Sequence, residues 1–272
     1  MPQLIIITDL DGTLLDTRDY SCEACLPVIR RLKSRNIPLI LCSSKTRAEI
    51  IPLWRDLSLF APFIAENGAL ICFPPHYFPG AIWGVTHERD FDVLEVGTPI
   101  TRLRRVLDEA ARVCHVTIAS FGTMDVTEIS GLTGLTPEQA ALAKEREYDE
   151  PFLLTEGDHE QFLKLLRDKG FKITRGDWFF HITGNHNKGT AVEMLLDLYQ
   201  QLDSMIISVG PGNSTNDLEF LSQVDLPFLV RNVNGTYNAE VTGKVSAIRC
   251  TPSAGPEGWR EAIEKVLMEI GP

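Results

Sequence analysis

Short apolar runs alternate with helical patterns in the first part of the chain. Residues 4–7 and 38–42 are nearly continuous apolar runs, which are typical of strands covered on both faces. Apolar residues at helical spacing follow each run, from about residue 21 to 35 and from Thr46 onward, where Thr46 and Glu49 form the pattern of a helix capping box. This alternation predicts a parallel sheet with right-handed crossovers.

The pattern changes after residue 73 and returns after residue 184. Prolines and a glycine indicate a hinge at the first point, and the stretch that follows mixes predicted helices with a hairpin over 171–182. Strand and helix patterns then resume, and the chain ends in a helix with an apolar stripe. We therefore predict an α/β protein with a Rossmann-like parallel-sheet core domain at 1–80 and 185–272 and an inserted α+β cap domain at 81–184.

The composition restricts the partners. The chain has 26 basic and 37 acidic residues, so its formal net charge is -11. A negative field repels nucleic acid, anionic membranes and phosphate alike, so neither of the first two is an expected partner and a phosphate site must supply local positive charge. The pattern shows no membrane span and no signal peptide, so we expect a cytoplasmic protein. Separately, we expect a monomer or a homodimer. The six cysteines are expected to be reduced thiols.

The most informative motif is Asp9-Leu10-Asp11-Gly12-Thr13, which directly follows the first predicted strand. Loops at the carboxyl ends of parallel strands are where α/β sheets bind their ligands, and Gly12 allows a tight turn there. An acidic pair at a strand end is equally typical of solvated carboxylates. The motif alone therefore leaves catalysis and a plain strand end open.

Three further segments lie at the same predicted edge of the sheet. Residues 42–46 follow the second strand and enter the capped helix, where hydroxyls, helix N–H groups and a lysine can bind an anion. Lys188 begins a later helix, and residues 210–217 form a polar loop that ends in Asp217. Each alone is also explained as an ordinary turn, an exposed lysine or a flexible loop. Their occurrence together favours a phosphate site.

The order of these segments resembles the haloacid dehalogenase superfamily of phosphatases, whose most specific motif is D-L-D-G-T. Ser43 matches its hydroxyl motif, Lys188 its lysine motif and residues 213–217 its final acidic motif, and the insertion has the position of the larger cap type. The resemblance implies that Asp9 attacks phosphorus to form an aspartyl phosphate, while Asp11 acts as general acid and base. It also implies that Ser43 and Lys188 hold the phosphoryl oxygens.

The same resemblance implies Mg²⁺ as the cofactor. The implied metal-ligating residues are Asp9, Asp11, Asn213 and Asp217. The family's final motif usually begins with an Asp where this chain has Asn213. Because a hard cation prefers a charged oxygen to an amide oxygen, we expect weakened magnesium affinity rather than lost activity.

A closer resemblance is to the mannosyl-3-phosphoglycerate phosphatases. The matching segments, at 65–69, 130–135, 146–152 and 255–259, span nearly the whole chain. This implies a small phosphorylated sugar-acid substrate, whose carboxylate calls for cationic residues. The candidate substrate-binding residues are Ser44, Lys45, Asn67, Arg146, Glu150, Arg175 and Asn216. A surface ion pair is the alternative interpretation of each arginine.

Three functions stay open at this point. The first is a magnesium-dependent phosphatase of mannosyl- or glucosyl-3-phosphoglycerate, and the second is a phosphomutase of the same superfamily. The third is a non-catalytic binding protein whose metal site has decayed at Asn213, which the intact acidic, hydroxyl and lysine motifs disfavour. His181 and His186 do not form a convincing metal pair in the sequence, because neither a matching carboxylate nor the usual spacing accompanies them.

Overall fold

The computed structural model describes residues 3–176 and 178–270, and it divides the chain into two compact units. The core unit contains the chain up to residue 44, residues 53–95 and the chain from residue 187 onward. The inserted unit contains residues 45–52 and 96–186. A two-part core interrupted by an α+β insertion is the fold class that the sequence predicts.

The helices and strands have the following bounds. The strands are β1 (Gln3–Thr8), β2 (Leu39–Cys42), β3 (Phe63–Ala65), β4 (Leu70–Phe73), β5 (Val85–His87), β6 (Asp92–Glu95), β7 (Thr117–Ser120), β8 (Asp149–Glu156), β9 (Lys172–Arg175), β10 (Phe180–Thr183), β11 (Ile206–Gly212), β12 (Leu226–Arg231) and β13 (Arg249–Ala254). The α-helices are α1 (Leu26–Ser34), α2 (Arg47–Asp56), α3 (Ile100–Cys114), α4 (Val126–Thr133), α5 (Pro137–Lys144), α6 (His159–Asp168), α7 (Lys188–Leu202), α8 (Leu218–Leu221), α9 (Ala239–Lys244) and α10 (Gly255–Glu269).

The core unit is built on one sheet with the strand order β13-β12-β11-β1-β2-β3-β4-β6-β5. The strands from β13 to β3 pair in parallel. β1 lies between β11 and β2, and its residues 4–8 are buried, as expected for a strand covered on both faces. The carboxyl ends of these three neighbouring strands therefore lead into adjacent loops, which is the arrangement that the sequence predicts for Asp9, Ser43 and Asn213.

The far edge of this sheet corrects one predicted boundary. The sequence places residues 81–95 in the insertion, whereas β5 and β6 belong to the large sheet. β6 pairs antiparallel with β4, and β5 pairs antiparallel with β6. The proline-rich stretch is thus a loop within the core unit. β6 pairs with backbone groups of β4 that would be unpaired if β4 were the edge strand of the sheet.

The inserted unit has its own antiparallel sheet, with the order β7-β8-β10-β9. The predicted hairpin is confirmed, because β9 and β10 pair antiparallel with Ile173 opposite Ile182. Helices α3 and α6 contribute buried residues to the same hydrophobic core as this sheet. The members of that core include Leu103, Leu107, Phe152, Phe162 and Ile182.

All six cysteines lie within the described residues, and no disulfide joins any two of them. Burial raises the pKa of the Cys42 thiol to about 12, so this side chain stays protonated and unreactive at neutral pH. Among the helices of residues 3–176 and 178–270, none combines the length and apolar character that crossing a bilayer requires.

Candidate active site

Asp9 lies at the centre of the candidate site, directly after β1. Asp9 is buried, at 5% exposure, and its backbone N–H donates to the carbonyl of Pro211 at 3.1 Å. The Thr13 hydroxyl donates to Asp9 Oδ2 at 3.0 Å. Gly12 makes the turn with φ 76°, and a Cβ there would lie 2.4 Å from Asn213 Nδ2. Glycine is favoured here because its φ lies in the left-handed region, and a Cβ would also force the Asn213 amide to move.

Lys188 meets Asp9 in this site, although 179 residues separate them in sequence. It is the first residue of α7 and is 1% exposed, so the interpretation of Lys188 as an exposed surface lysine is wrong. Its Nζ donates to Asp9 Oδ1 at 2.6 Å and to Asp217 Oδ1 at 2.7 Å. The Asn187 side chain caps the helix by accepting from the Thr190 N–H at 2.8 Å. This cap fixes the first turn of the helix and therefore the position of Lys188.

The charges in this cluster shift each other's protonation. Burial, and next the Asp217 carboxylate, raise the pKa of Asp9 to about 7 despite the opposing effect of Lys188. Burial alone would lower the pKa of Lys188, but the two carboxylates outweigh it and raise that pKa above its ordinary value. Lys188 is therefore charged at neutral pH, and additional positive charge near Asp9 would favour its ionised form.

Asp217 organises the loop after β11. Its side chain is fully buried, and its Oδ2 accepts from the Asn213 N–H at 2.9 Å and from the Ser214 N–H at 3.0 Å. The Ser214 hydroxyl also donates to Oδ2, at 3.0 Å. Oδ1 is bonded to Lys188, so both oxygens of Asp217 already have donors. This arrangement makes Asp217 an anchor for the lysine and the loop, and its metal-ligating role stays a prediction.

Asn213 presents an oxygen that is suited to a cation. The residue is 8% exposed, and its Nδ2 donates to Asn232 Oδ1 at 3.4 Å. Its Oδ1 is buried and has no hydrogen-bond partner among the described residues. An acceptor left in this state is costly unless a donor or a cation satisfies it. The predicted ligand Asp11 follows Asp9 by two residues and is half-buried.

The hydroxyl loop and the loop after β3 are joined through their backbones. The buried Ser43 donates its N–H to the Ile64 carbonyl at 3.0 Å, and its own carbonyl accepts from the Asn67 N–H at 2.9 Å. Asn67 is left-handed, with φ 56°, and its Oδ1 accepts from Asn216 Nδ2 at 3.3 Å. The structure therefore brings together the predicted substrate residues Asn67 and Asn216. Ser44 follows Ser43 in the chain and is half-buried.

Arg146 belongs to a charged group in the inserted unit. Its Nη1 donates to Asp149 Oδ2 at 2.7 Å, and His181 Nδ1 lies 2.9 Å from the same oxygen. Burial would raise the pKa of Asp149, but the charges of His181 and Arg146 hold it below its ordinary value. His181 thus has a carboxylate neighbour that the sequence does not reveal. No three acidic, histidine or cysteine side chains converge on a metal position in the described part of the chain.

The other predicted substrate residues of the inserted unit also have partners. Glu150 is fully buried, and it accepts from Arg104 Nε at 2.9 Å and from the Gly122 N–H at 2.6 Å. The Arg175 guanidinium lies over the Phe180 ring, 5.3 Å from its centroid. Lys45 Nζ lies 3.9 Å from a Glu49 oxygen. For Glu150 these contacts support a structural role, because both of its oxygens are bonded within the unit.

Two contributors to the site are not evident from the sequence. Thr13 was visible as part of the first motif, but only the geometry shows that its hydroxyl bonds the Asp9 carboxylate. Asn232 follows β12 and orients the Asn213 amide, and no sequence pattern marks it. The strand order supplies the missing signal, because β12 neighbours β11 in the sheet.

The geometry is suited to receiving a phosphoryl group. The Asp9 carboxylate at a strand end has the buried Lys188 ammonium beside it, and Asp217 links that ammonium to the backbone of Asn213, whose amide oxygen is unsatisfied. A carboxylate of this kind can act as a nucleophile toward an electrophilic phosphorus when cationic groups offset the charge repulsion.

Comparison with known proteins decides the family. The model of the haloacid dehalogenase-like hydrolase family matches residues 6–78. The glucosyl-3-phosphoglycerate/mannosyl-3-phosphoglycerate phosphatase of Methanococcoides burtonii is 39% identical over 265 residues, which is 97% of each chain. The chain belongs to the haloacid dehalogenase-like hydrolases. It is a phosphatase, that is, a phosphoric monoester hydrolase, as its relatives are.

Other relatives of this phosphatase agree. The protein of the same name from Persephonella marina is 35% identical, over 98% of each chain. The mannosyl-3-phosphoglycerate phosphatase of Pyrococcus furiosus is 35% identical, over 88% of this chain and 95% of its own. A solved protein from Thermotoga maritima shares the fold with a TM-score of 0.67 at 17% identity, covering 100% of this chain and 98% of that one.

Proposed function

We propose that this phosphatase hydrolyses a glycosyl-3-phosphoglycerate, either the mannosyl or the glucosyl ester, through an aspartyl phosphate on Asp9 and with Mg²⁺ as cofactor. The substrate class comes from relatives that are 35–39% identical along nearly the whole chain. The mechanism depends on one observation, the buried Lys188 ammonium 2.6 Å from the Asp9 carboxylate.

The chain's own groups account for both chemical steps. Asp9 attacks phosphorus, the bond from phosphorus to the ester oxygen breaks, and Asp11 gives that oxygen a proton. Asp11 then removes a proton from a water that attacks the aspartyl phosphate, which releases inorganic phosphate and restores Asp9. Lys188 holds Asp9 in place and offsets the negative charge that develops on the phosphoryl oxygens, with Ser43 as the second group assigned to bind them.

The residues present fit a magnesium ion. The Asp9 carboxylate, the Asp11 backbone carbonyl and the unsatisfied Asn213 Oδ1 are hard oxygen donors of the kind that Mg²⁺ prefers, and Asp217 is the fourth predicted ligand. When bound, the ion would offset the repulsion between the Asp9 carboxylate and the phosphate. The raised pKa of Asp9 fits this proposal, because a cation would favour the charged form.

Changing Asn213 to Asp should tighten magnesium binding, because it places a charge at the unsatisfied oxygen. We expect the dissociation constant to fall by about tenfold, the effect of roughly 1.4 kcal/mol of added attraction. Isothermal titration calorimetry with MgCl₂ measures this directly, and metal titration of activity gives the half-saturation. The control is Asn216→Asp, which adds the same charge to the same loop at a side chain bonded to Asn67. Equal affinity in native and Asn213→Asp proteins would contradict the assignment.

Arg146→Ala should weaken recognition of a carboxylate-bearing substrate. We expect KM for the sugar-phosphoglycerate to rise by roughly tenfold or more, the loss of one charge-assisted hydrogen bond, while KM for a simple aryl phosphate changes far less. The matched control is Arg105→Ala, because the Arg105 side chain is 69% exposed and its Nε lies 4.0 Å from Glu109 Oε1. Similar losses on both substrates would mean that Arg146 supports only Asp149.

A screen of phosphorylated sugars and sugar acids, with released inorganic phosphate as the readout, tests the proposed function as a whole. The expected result is preferential turnover of mannosyl- or glucosyl-3-phosphoglycerate, and comparing those two esters assigns the sugar. Transfer of the phosphate to another hydroxyl, without release of inorganic phosphate, would instead indicate phosphomutase activity. Equal turnover of all the esters would reject the substrate class.

A further inference from the structure

Trp259 is a buried residue of the C-terminal helix α10, and its side chain contacts β1, the strand that leads to Asp9. It belongs to the first turns of α10 and has no exposed surface. Its indole Nε1 donates to the hydroxyl of Thr8 at 2.9 Å, across 251 residues of sequence. Gly258 lets the first turn of α10 lie close to the preceding strand β13, since a Cβ there would lie 2.3 Å from the Ser253 carbonyl oxygen.

Thr8 links Trp259 to the backbone of Asp9 through hydrogen bonds. It is the last residue of β1 and is fully buried. Its hydroxyl accepts from Trp259 and donates to the main-chain carbonyl of Asp9 at 2.7 Å. A hydroxyl that donates and accepts at the same time is fixed in rotation, and each of its two hydrogen bonds polarises the other.

Two hydrogen bonds therefore fix the main chain of Asp9, one at its N–H and one at its carbonyl. Its N–H donates to the Pro211 carbonyl of β11, and its carbonyl accepts from Thr8. The side chain is held separately by Thr13 and Lys188. Small displacements of an attacking group cost large factors in rate, so the groups that fix this peptide influence the reaction without touching the substrate.

We propose that Trp259 and Thr8 are positioning residues that fix the main chain of Asp9 in its attacking geometry. The inference rests on the proposed function, because it requires Asp9 to be the nucleophile. Trp259 acts through Thr8, so the two residues form a single connection. This gives the C-terminal helix a role in catalysis in addition to its packing against the sheet.

The test compares Trp259→Phe, which removes the N–H and keeps an aromatic ring, with Thr8→Val, which removes the hydroxyl and keeps the shape. We expect each to lower kcat by about tenfold and to change KM by less than about twofold. In rapid-quench experiments the rate of phosphoryl transfer to Asp9 should fall by the same factor. The double variant should be no slower than the slower single variant, and Thr8→Ser should retain nearly full activity.

The control is Trp54→Phe. Trp54 also donates an indole hydrogen bond, to the Ala61 carbonyl at 2.8 Å, and that bond has no connection to Asp9. It should lower the melting temperature without changing kcat. Unchanged kcat in both Trp259→Phe and Thr8→Val, or additive effects in the double variant, would overturn the proposal. Should Thr8→Val not fold, Trp259→Phe and Thr8→Ser still decide it.

An Asp9→Asn variant distinguishes failure of the positioning role from failure of the proposed function. Loss of turnover in Asp9→Asn together with unchanged kcat in Trp259→Phe would reject the positioning role and leave the proposed function standing. Normal turnover in Asp9→Asn would reject the proposed function, and the positioning role with it.

Discussion

Replacing Asp9 by Asn is expected to lower kcat by roughly 10⁴-fold or more, the scale seen when a covalent nucleophile is removed from an enzyme. The amide has the size of the carboxylate and can still accept from Thr13, but it cannot form the aspartyl phosphate. Phosphate release from the sugar-phosphoglycerate and from an aryl phosphate should both be lost, because the defect lies in the shared chemical step.

Folding should survive this change. Burial and Asp217 raise the pKa of Asp9 to about 7, so the ionised form of Asp9 is less stable in the folded protein than in water. The melting temperature of Asp9→Asn should therefore equal or exceed that of the native protein at neutral pH. Asp197→Asn is the matched control, since Asp197 is exposed on α7 and its neutralisation should leave kcat unchanged. Retained turnover in Asp9→Asn would contradict the account.

Replacing Lys188 by Met is expected to impair both catalysis and stability. The variant would leave two buried carboxylates, Asp9 and Asp217, without the ammonium that now lies 2.6 and 2.7 Å from them. Removing one partner of a buried ion pair costs about 3–5 kcal/mol, and removing a group that stabilises developing charge costs roughly 10²–10³ in kcat. Denaturant unfolding and steady-state kinetics measure the two effects separately.

The control for Lys188 is Lys244→Met. Lys244 also lies 2.7 Å from a carboxylate, that of Glu240, but its side chain is 61% exposed. Exposed pairs contribute little to stability, so this variant should behave like the native protein in both measurements. If Lys188→Met lost no more activity and stability than Lys244→Met, Lys188 would have no special role. Lys188→Arg tests whether charge alone is sufficient. The positive charge remains in this variant, but the planar guanidinium does not fit the position of the single Nζ.

Much of the site could be predicted because strand ends are visible in sequence. The apolar run before Asp9 and the one before Ser43 identify buried parallel strands, and the topology of such sheets brings their carboxyl ends together. Asp217 follows from the same logic, because its loop follows β11. Lys188 comes from the family resemblance, because the strand before it, β10, belongs to the antiparallel sheet of the inserted unit. The capping box at Thr46 is also confirmed, with the Thr46 N–H 2.8 Å from a Glu49 oxygen.

Contacts between distant residues could not be predicted in the same way. The ion pair of Arg104 with Glu150 depends on how α3 packs on β8, which no local pattern records. The contact of Trp259 with Thr8 depends on the placement of α10, where the apolar stripe predicts burial but not the partner of an indole N–H. The pairing of β5 and β6 was missed because the strands are short and the proline-rich loop before them resembles a domain hinge.

Formation of an aspartyl phosphate on Asp9 can be detected by chemical trapping of the phosphoenzyme in Asp11→Asn. With an aryl phosphate, whose leaving group needs no protonation, this variant should form the aspartyl phosphate and hydrolyse it slowly, because the base for the water is gone. Borohydride reduction followed by peptide mass spectrometry should then convert residue 9 to homoserine. Trapped phosphate at any other residue, or phosphate release without modification of Asp9, would contradict the account.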